Sequence, residues 1–111
     1  EFKLGGSSFA QTLNSIGNEA PTIKDANFFK KAFNTIQELI LDNQIASGHD
    51  IGSGGLITTL LEMCFADVNL GAKIDFSVFE EKDIIKYLFA ENIGIVFQAK
   101  LGIAKNIFSM K

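Results

Sequence analysis

The longest regular pattern of apolar residues lies between positions 28 and 40, where they recur every three or four residues. This spacing places them on one face of a helix and predicts an amphipathic helix. Residues that favour the start of a helix lie before this stripe. Pro21 is followed by Thr22 and Asp25, which have the spacing of a capping box. Asn43, which tolerates the left-handed conformation of a helix stop, marks the expected end. The stripe consists of Phe28, Phe29, Ala32, Phe33, Ile36, Leu39 and Ile40.

Four further segments carry helical patterns. A broad apolar face from 54 to 65 predicts a second helix. The capping-box spacing of Ser77 and Glu80 opens a third, which is broken at 92–94. Residues 101–110 indicate a shorter amphipathic helix, and residues 9–16 a weak helical or irregular piece. The apolar positions of the third helix are Ile84, Ile85, Leu88 and Phe89.

Short strands are predicted between these helices. Ala72, Ile74 and Phe76 alternate with polar residues, which is the period of a half-exposed strand. The segments 45–51 and 95–97 also fit strands, and residues 1–4 fit the tail of another. Strands alternating with helices predict an α+β, α/β-like domain, in which a mixed β-sheet of three or more strands is layered with helices. We take residues 1–111 as one domain, and expect missing strands beyond its ends because this sheet is thin for its helices.

Composition narrows the class of protein. Eleven phenylalanines beside one tyrosine and no tryptophan indicate a phenylalanine-rich core. The net charge of −3 and the scattered basic residues argue against a nucleic-acid partner. No apolar run approaches the ~20 residues that cross a bilayer, and the N-terminus lacks a signal-peptide layout, so we expect a cytoplasmic protein with no membrane partner. The expected core members are Phe28, Phe33, Leu60, Phe65, Leu88 and Phe97.

Metal and thiol chemistry are not expected of this chain. One cysteine, Cys64, and one histidine, His49, are too few for a zinc site. Cys64 lies on the apolar side of its helix and is interpreted as a small buried hydrophobe. A lone histidine beside Asp50 is typical of a hydrogen-bonded structural residue, so no catalytic residue is assigned. The negative charges that begin the third helix suit a first turn and lie at Glu80, Glu81 and Asp83.

The strongest candidate site is the glycine-rich stretch between the strand at 45–51 and the following helix. Unpaired N–H groups and the helix dipole at such a start favour an anion, usually phosphate. The loop N–H groups and the Ser53 hydroxyl would donate, while His49 or Asp50 orients the ligand or a metal. The alternative is a tight turn that needs glycine only for its backbone angles, and the sequence leaves both open. The candidate phosphate- or nucleotide-binding residues are His49, Asp50, Gly52, Ser53, Gly54 and Gly55.

Two stricter nucleotide motifs are excluded by the residues that follow the glycines. A Walker-type phosphate loop needs a lysine and a hydroxyl residue after the last glycine, where this chain has Leu56 and Ile57. A dinucleotide fingerprint needs a third glycine at position 57 after Gly52 and Gly54. Any anion site in this loop is therefore neither a Walker-type phosphate loop nor a dinucleotide-binding motif.

Three segments together resemble one family. Residues 48–66 read GHDIGSGGLITTLLEMCFA, and are similar to an HDIS(D/A)GGL segment followed by an LxEM(A/C)FA helix in the phosphoribosylformylglycinamidine synthases. Residues 88–96 read LFAENIGIV and resemble the later LFxE(E/N)xGxV segment of that family. Residues 4–7 read LGGS, like the family's sequence after the first strand of the domain. The resemblance covers about residues 4–99.

The resemblance implies a domain of the aminoimidazole ribonucleotide synthetase C-terminal type, from the second of the enzyme's two related halves. The parent enzyme converts formylglycinamide ribonucleotide to its amidine in purine synthesis, using ATP, magnesium and ammonia channelled from glutamine. Its ATP-handling domains and its glutaminase domain are then the expected partners, with a ribonucleotide or nucleotide phosphate as ligand. This fragment alone is expected to be inactive and to bind no cofactor tightly.

One departure from the family concerns the candidate loop. The family has Ser-Asp or Ser-Ala where this chain has Gly52 and Ser53. Any role for a side-chain hydroxyl at position 52 is therefore lost or displaced to Ser53, while a cradle built from the backbone stays open. Two alternatives stay open: another member of the superfamily, of the selenophosphate synthetase or thiamine monophosphate kinase type, and a non-catalytic scaffold or interaction module whose glycine loop is structural.

Overall fold

The computed structural model describes residues 2–77, 79 and 82–109, with side chains of the last helix described as far as Lys105. The helices and strands follow the expected alternation in most of the chain. In order they are α1 (Ser8–Thr12), α2 (Ala26–Leu41), β1 (Ile45–Asp50), α3 (Gly55–Cys64), α4 (Ile84–Phe89), β2 (Ile95–Ala99) and α5 (Leu101–Ser109). The α+β class is confirmed.

Helix α2 begins and ends through chemistry that the sequence partly indicated. The Asp25 carboxylate accepts hydrogen bonds from the N–H groups of Asn27 and Phe28, both at 2.9 Å. Asp25 is therefore the N-cap itself, and the capping box that pairs it with Thr22 was wrong. Asn43 has a φ of +54° and directly follows the C-cap, so the predicted stop is confirmed.

The sheet contains two strands among the described residues, β1 and β2. The Ser47 hydroxyl donates to Gln98 Oε1 at 2.9 Å, and Ile51 N–H donates to Gly94 O at 2.9 Å. Residue numbers rise on one strand as they fall on the other, so the pair is antiparallel. Strands near 45–51 and 95–97 are confirmed, whereas the described residues form a sheet of two strands and not the three or more that were expected.

The segment 71–76 is irregular despite its alternating pattern. Asp75 accepts a hydrogen bond from Ser77 N–H at 2.9 Å, a local turn that competes with strand pairing. Phe76 instead joins an aromatic cluster, with its ring centroid 5.7 Å from that of Tyr87. The strand expected here was wrong, as was a strand over the described part of residues 1–4.

The aromatic cluster centres on the single tyrosine. The rings of Phe2 and Phe79 lie 4.6 Å and 4.4 Å from the Tyr87 ring, between centroids. Partial burial raises the pKa of the Tyr87 phenol. Three of the eleven phenylalanines, Phe2, Phe76 and Phe79, therefore pack against the Tyr87 ring.

Helix α4 starts later than the sequence indicated. The Asp83 carboxylate accepts from the N–H groups of Ile85 and Lys86 at 3.1 Å and 3.3 Å, so Asp83 is its N-cap. Ser77 and Phe79 are not helical. The remaining members of the expected capping box and acidic first turn, Val78, Glu80 and Glu81, lie outside the described residues.

The chain divides into two compact units, one formed by residues 1–22 and 50–96 and the other by 23–49 and 97–111. Small residues form the buried part of the first unit, among them Ala10 and Ala90. In the second unit, α2 has no buried residue. The predicted single core was wrong: Phe28, Phe33 and Phe65 are exposed, and Leu60, Leu88 and Phe97 are half-buried.

Candidate functional site

The glycine-rich loop enters α3 through two residues with positive φ. Gly54, the N-cap, has a φ of +89°, and Gly55 has a φ of +76°. Only glycine adopts such angles readily. A Cβ on Gly55 would lie 2.7 Å from Leu88 O and 2.8–2.9 Å from the Phe89 backbone. Glycine is thus required here for the backbone angle and for the close approach of the end of α4.

The start of α3 is also fastened to the end of β1. Thr59, which is buried, donates its hydroxyl to Asp50 O at 3.0 Å. Gly55 N–H donates to Gly52 O at 3.1 Å across the loop. The turn is therefore held by a buried side chain of α3 and by a hydrogen bond within its own backbone, as well as by the glycine conformations.

A second glycine-containing loop belongs to the same unit and leads into α1. Gly5 and Gly6 donate their N–H groups to Glu19 O and Ile16 O, both at 2.9 Å. Ser7, buried, donates its hydroxyl to Leu4 O at 2.6 Å and caps α1. This loop contains the short LGGS segment, residues 4–7, that carries part of the family resemblance.

The two loops meet at one carboxylate. Oε1 of Glu91 accepts hydrogen bonds from the N–H groups of Ser8 and Gly54, each at 2.8 Å. Burial acts to raise the pKa of Glu91, but the hydrogen bonds from Ser8 and Gly54 outweigh it, so the pKa lies below its ordinary value. The anion at the start of α3 is therefore supplied by the protein itself.

Two of the segments that carry the family resemblance meet directly, because Gly54 of the glycine-rich loop donates its N–H to Glu91 of the segment 88–96. Ser8, the residue that follows the segment 4–7, donates its N–H to the same carboxylate oxygen. Sequence reasoning missed Glu91 as a site residue, although it is the acidic member of the LFAEN motif. Its role depends on partners 83 and 37 positions away, which periodicity does not reveal.

The predicted site residues differ in exposure and in place. Gly52 and Ser53 are exposed, Gly54 is half-buried, and Gly55 is buried. Asp50 is exposed at the end of β1. The half-buried His49 belongs to the second unit, so the site assembled here is built from residues of the first unit.

This arrangement can offer backbone donors but little side-chain charge. No lysine or arginine occurs between Gly48 and Lys73. Within the described residues, no three His, Cys, Asp or Glu side chains form a group that could hold a metal ion. Cys64 is half-buried with a free thiol. An external anion would therefore be held through N–H groups and the Ser53 hydroxyl.

Comparison with known proteins gives consistent matches. The family model for the AIR synthase related protein, C-terminal domain, matches residues 3–99. The probable phosphoribosylformylglycinamidine synthase, chloroplastic/mitochondrial, of Arabidopsis thaliana is 40% identical over 96 residues, or 86% of this chain. The phosphoribosylformylglycinamidine synthase of Homo sapiens is 37% identical over 100 residues, or 90% of this chain. The matched region spans 7% of the length of each of these relatives.

Proposed function

Since the chain belongs to the family of AIR synthase related C-terminal domains, we propose that it is one domain of a phosphoribosylformylglycinamidine synthase. The observation that carries this proposal is the hydrogen bond between two family-like segments, from Gly54 N–H to Glu91, with Ser8 beside the third segment donating to the same oxygen. Similarity to two synthases over 86% and 90% of the chain supports it. The reaction would be the ligation that converts formylglycinamide ribonucleotide to its amidine in purine synthesis.

Within that enzyme, this domain would contribute a weak phosphate site at Gly52–Gly55. The support is the glycine-rich start of α3 and the exposure of Gly52 and Ser53. A helix start contributes only about 0.3–1 kcal/mol to holding an anion, or up to ~2 when partly buried. Affinity for the isolated chain should therefore be no better than millimolar, about −4 kcal/mol.

The remaining chemistry would come from other parts of the enzyme. Preceding domains would handle ATP, and a glutaminase domain would deliver ammonia. Magnesium would be held with the ATP, because this ion is bound mainly through substrate phosphates, waters and one or two carboxylates. None of the helices in the described part is long and apolar enough to span a membrane. A cytoplasmic location stays a prediction, since the plant relative is named as chloroplastic/mitochondrial.

Domain replacement tests the enzyme assignment. Residues 3–99 would replace the matched segment of the human synthase, and amidine formation would be measured with formylglycinamide ribonucleotide, ATP and glutamine. Retained turnover supports the assignment. A folded but inactive chimera argues against it, provided that the same operation with the native human segment leaves activity intact.

The phosphate site is tested by titrating the 111-residue chain with inorganic phosphate while following the amide signals of residues 52–56. We expect Gly54→Val to abolish binding, because it places a β-branched side chain at a φ of +89° and against the Thr58 side chain. Ser53→Ala should weaken binding only slightly. If Ser53→Ala removed binding while Gly54→Val retained it, the ligand would be held by the side chain instead.

A second candidate is a non-catalytic interaction module with a structural glycine loop. It is favoured by one observation: the N–H groups of Gly54 and Gly55 already donate to Glu91 and Gly52. The same titration separates the two, since a purely structural loop gives no saturable shift at residues 52–56.

A further inference from the structure

Glu91 sits where three distant segments of the first unit come together. Its carboxylate reaches the first residue of α1 and the N-cap of α3 with a single oxygen atom. Its chain position is fixed from both sides: Ala90 before it is buried, and Gly94 after it accepts a hydrogen bond from Ile51 N–H at 2.9 Å. The backbone on either side of Glu91 is therefore held in place, and this positions the carboxylate beside the glycine-rich loop.

We propose that Glu91 is the positioning residue of the glycine-rich loop: its carboxylate is an internal anion that fixes Gly54 and leaves Gly52 and Ser53 to meet a ligand. The statement that Gly52 and Ser53 meet a ligand rests on the phosphate site proposed above. The fixing of Gly54 stands on the two hydrogen bonds of 2.8 Å alone.

The loop divides into an inner and an outer half. On the inner half, Gly55 is buried against the backbone of Leu88 and Phe89, and Gly54 N–H is bound to Glu91. On the outer half, Gly52 and Ser53 are exposed. An external anion therefore meets the outer half, while the inner half is already neutralised by a negative side chain.

The charge on Glu91 makes its hydrogen bonds to the two N–H groups sensitive to pH. Carboxylates accept stronger hydrogen bonds from N–H groups than neutral oxygens do. Glu91 is the only titratable side chain within residues 4–12, 51–61 and 88–96. The titratable residues that border these segments are Lys3, Asp50, Glu62 and Tyr87, and Glu19 lies beside Gly5, which donates its N–H to the Glu19 carbonyl. A pH titration of the amides at Ser8 and Gly54 consequently reports mainly on Glu91.

The experiment compares the 111-residue chain with Glu91→Gln, Glu91→Ala and the control Glu38→Ala, which changes charge at an exposed position of α2. Amide NMR follows Ser8 and Gly54 against pH, and each variant is titrated with inorganic phosphate. Glu91→Gln keeps an acceptor oxygen, so the test stands even if Glu91→Ala unfolds.

We expect the Ser8 and Gly54 amides to titrate together in the unmodified chain, with a midpoint below the ordinary glutamate range. Neither should titrate in Glu91→Gln. Phosphate affinity should fall at least about tenfold in Glu91→Ala, and stay within about threefold in Glu91→Gln and Glu38→Ala.

Two results would overturn the inference. If the two amides failed to titrate together, Glu91 would not be their common acceptor. If Glu91→Ala bound phosphate more tightly than the unmodified chain, the carboxylate would be occupying the place of the ligand. Absence of phosphate binding by the unmodified chain would instead reject the proposed anion site, while the two amides would still decide whether Glu91 holds Gly54.

Discussion

At the scale of single residues, the site depends on backbone positions that accept no side chain. The sequence alone indicated the glycine-rich loop, because three glycines in four positions before an amphipathic helix are a local signal. It could not indicate Glu91, whose role comes from N–H groups in two other segments. Local patterns indicate where a loop lies, whereas long-range packing determines which side chain accepts hydrogen bonds from its N–H groups.

Gly55→Ala should destabilise the chain by roughly 2 kcal/mol or more. The left-handed backbone costs an L-residue about 1–2 kcal/mol, and the added Cβ would meet the backbone of Leu88 and Phe89 within 2.7–2.9 Å. Urea unfolding measures the difference. Gly52→Ala is the matched control, since nothing lies within 4 Å of its added Cβ. Equal losses for the two variants would mean that the close approach at Gly55 is not sterically tight.

At the scale of elements, most helices and strands were predictable and the exceptions have a common cause. The segments that became α2, β1, α3 and β2 have strong local patterns and clear stop signals. Residues 71–76 have an equally regular alternation, yet no strand pairs with them in the described part of the chain. A strand needs a partner as well as a pattern, and the partner is not encoded locally.

Substitution of Thr22 and of Asp25 in turn shows which of the two residues caps α2. Asp25→Ala should cost about 0.5–2 kcal/mol, because two N–H groups at the start of α2 lose their acceptor. Thr22→Ala should be close to neutral, since α2 begins only at Ala26. Thermal unfolding of both variants checks this, and a larger loss for Thr22→Ala would restore the capping box.

Substitution of phenylalanines tests which aromatic residues stabilise the first unit. Phe65→Ala should change stability by no more than about 0.5 kcal/mol, because its side chain is 74% exposed. Phe89→Ala should cost about 2 kcal/mol, since its ring is half-buried and stacks on Phe9 with centroids 4.6 Å apart. The sequence pointed to Phe65 as a core residue, and a severe loss at that position would reinstate the original expectation.

At the scale of the whole molecule, the predicted phenylalanine core was the least successful expectation. Hydrophobicity assigned Phe28 and Phe33 to the interior, but the described residues of their unit leave both exposed. In the first unit, buried positions are occupied by small residues such as Ser7 and Thr59. Composition predicts how much apolar surface a chain has, whereas the topology determines which part of it is covered.

The 111-residue chain by itself should form no amidine product. The groups proposed for catalysis would lie in other domains of the enzyme, and the matched region spans 7% of the length of each relative. The glycine-rich loop offers backbone donors without a lysine or arginine between Gly48 and Lys73, which suits holding a phosphate rather than transferring one. The measurement is an assay with formylglycinamide ribonucleotide, ATP, magnesium and ammonium, with a complete synthase as the positive control. Turnover that disappears in the Gly54→Val variant would show that this chain carries catalytic groups of its own, and would overturn its assignment as a binding domain.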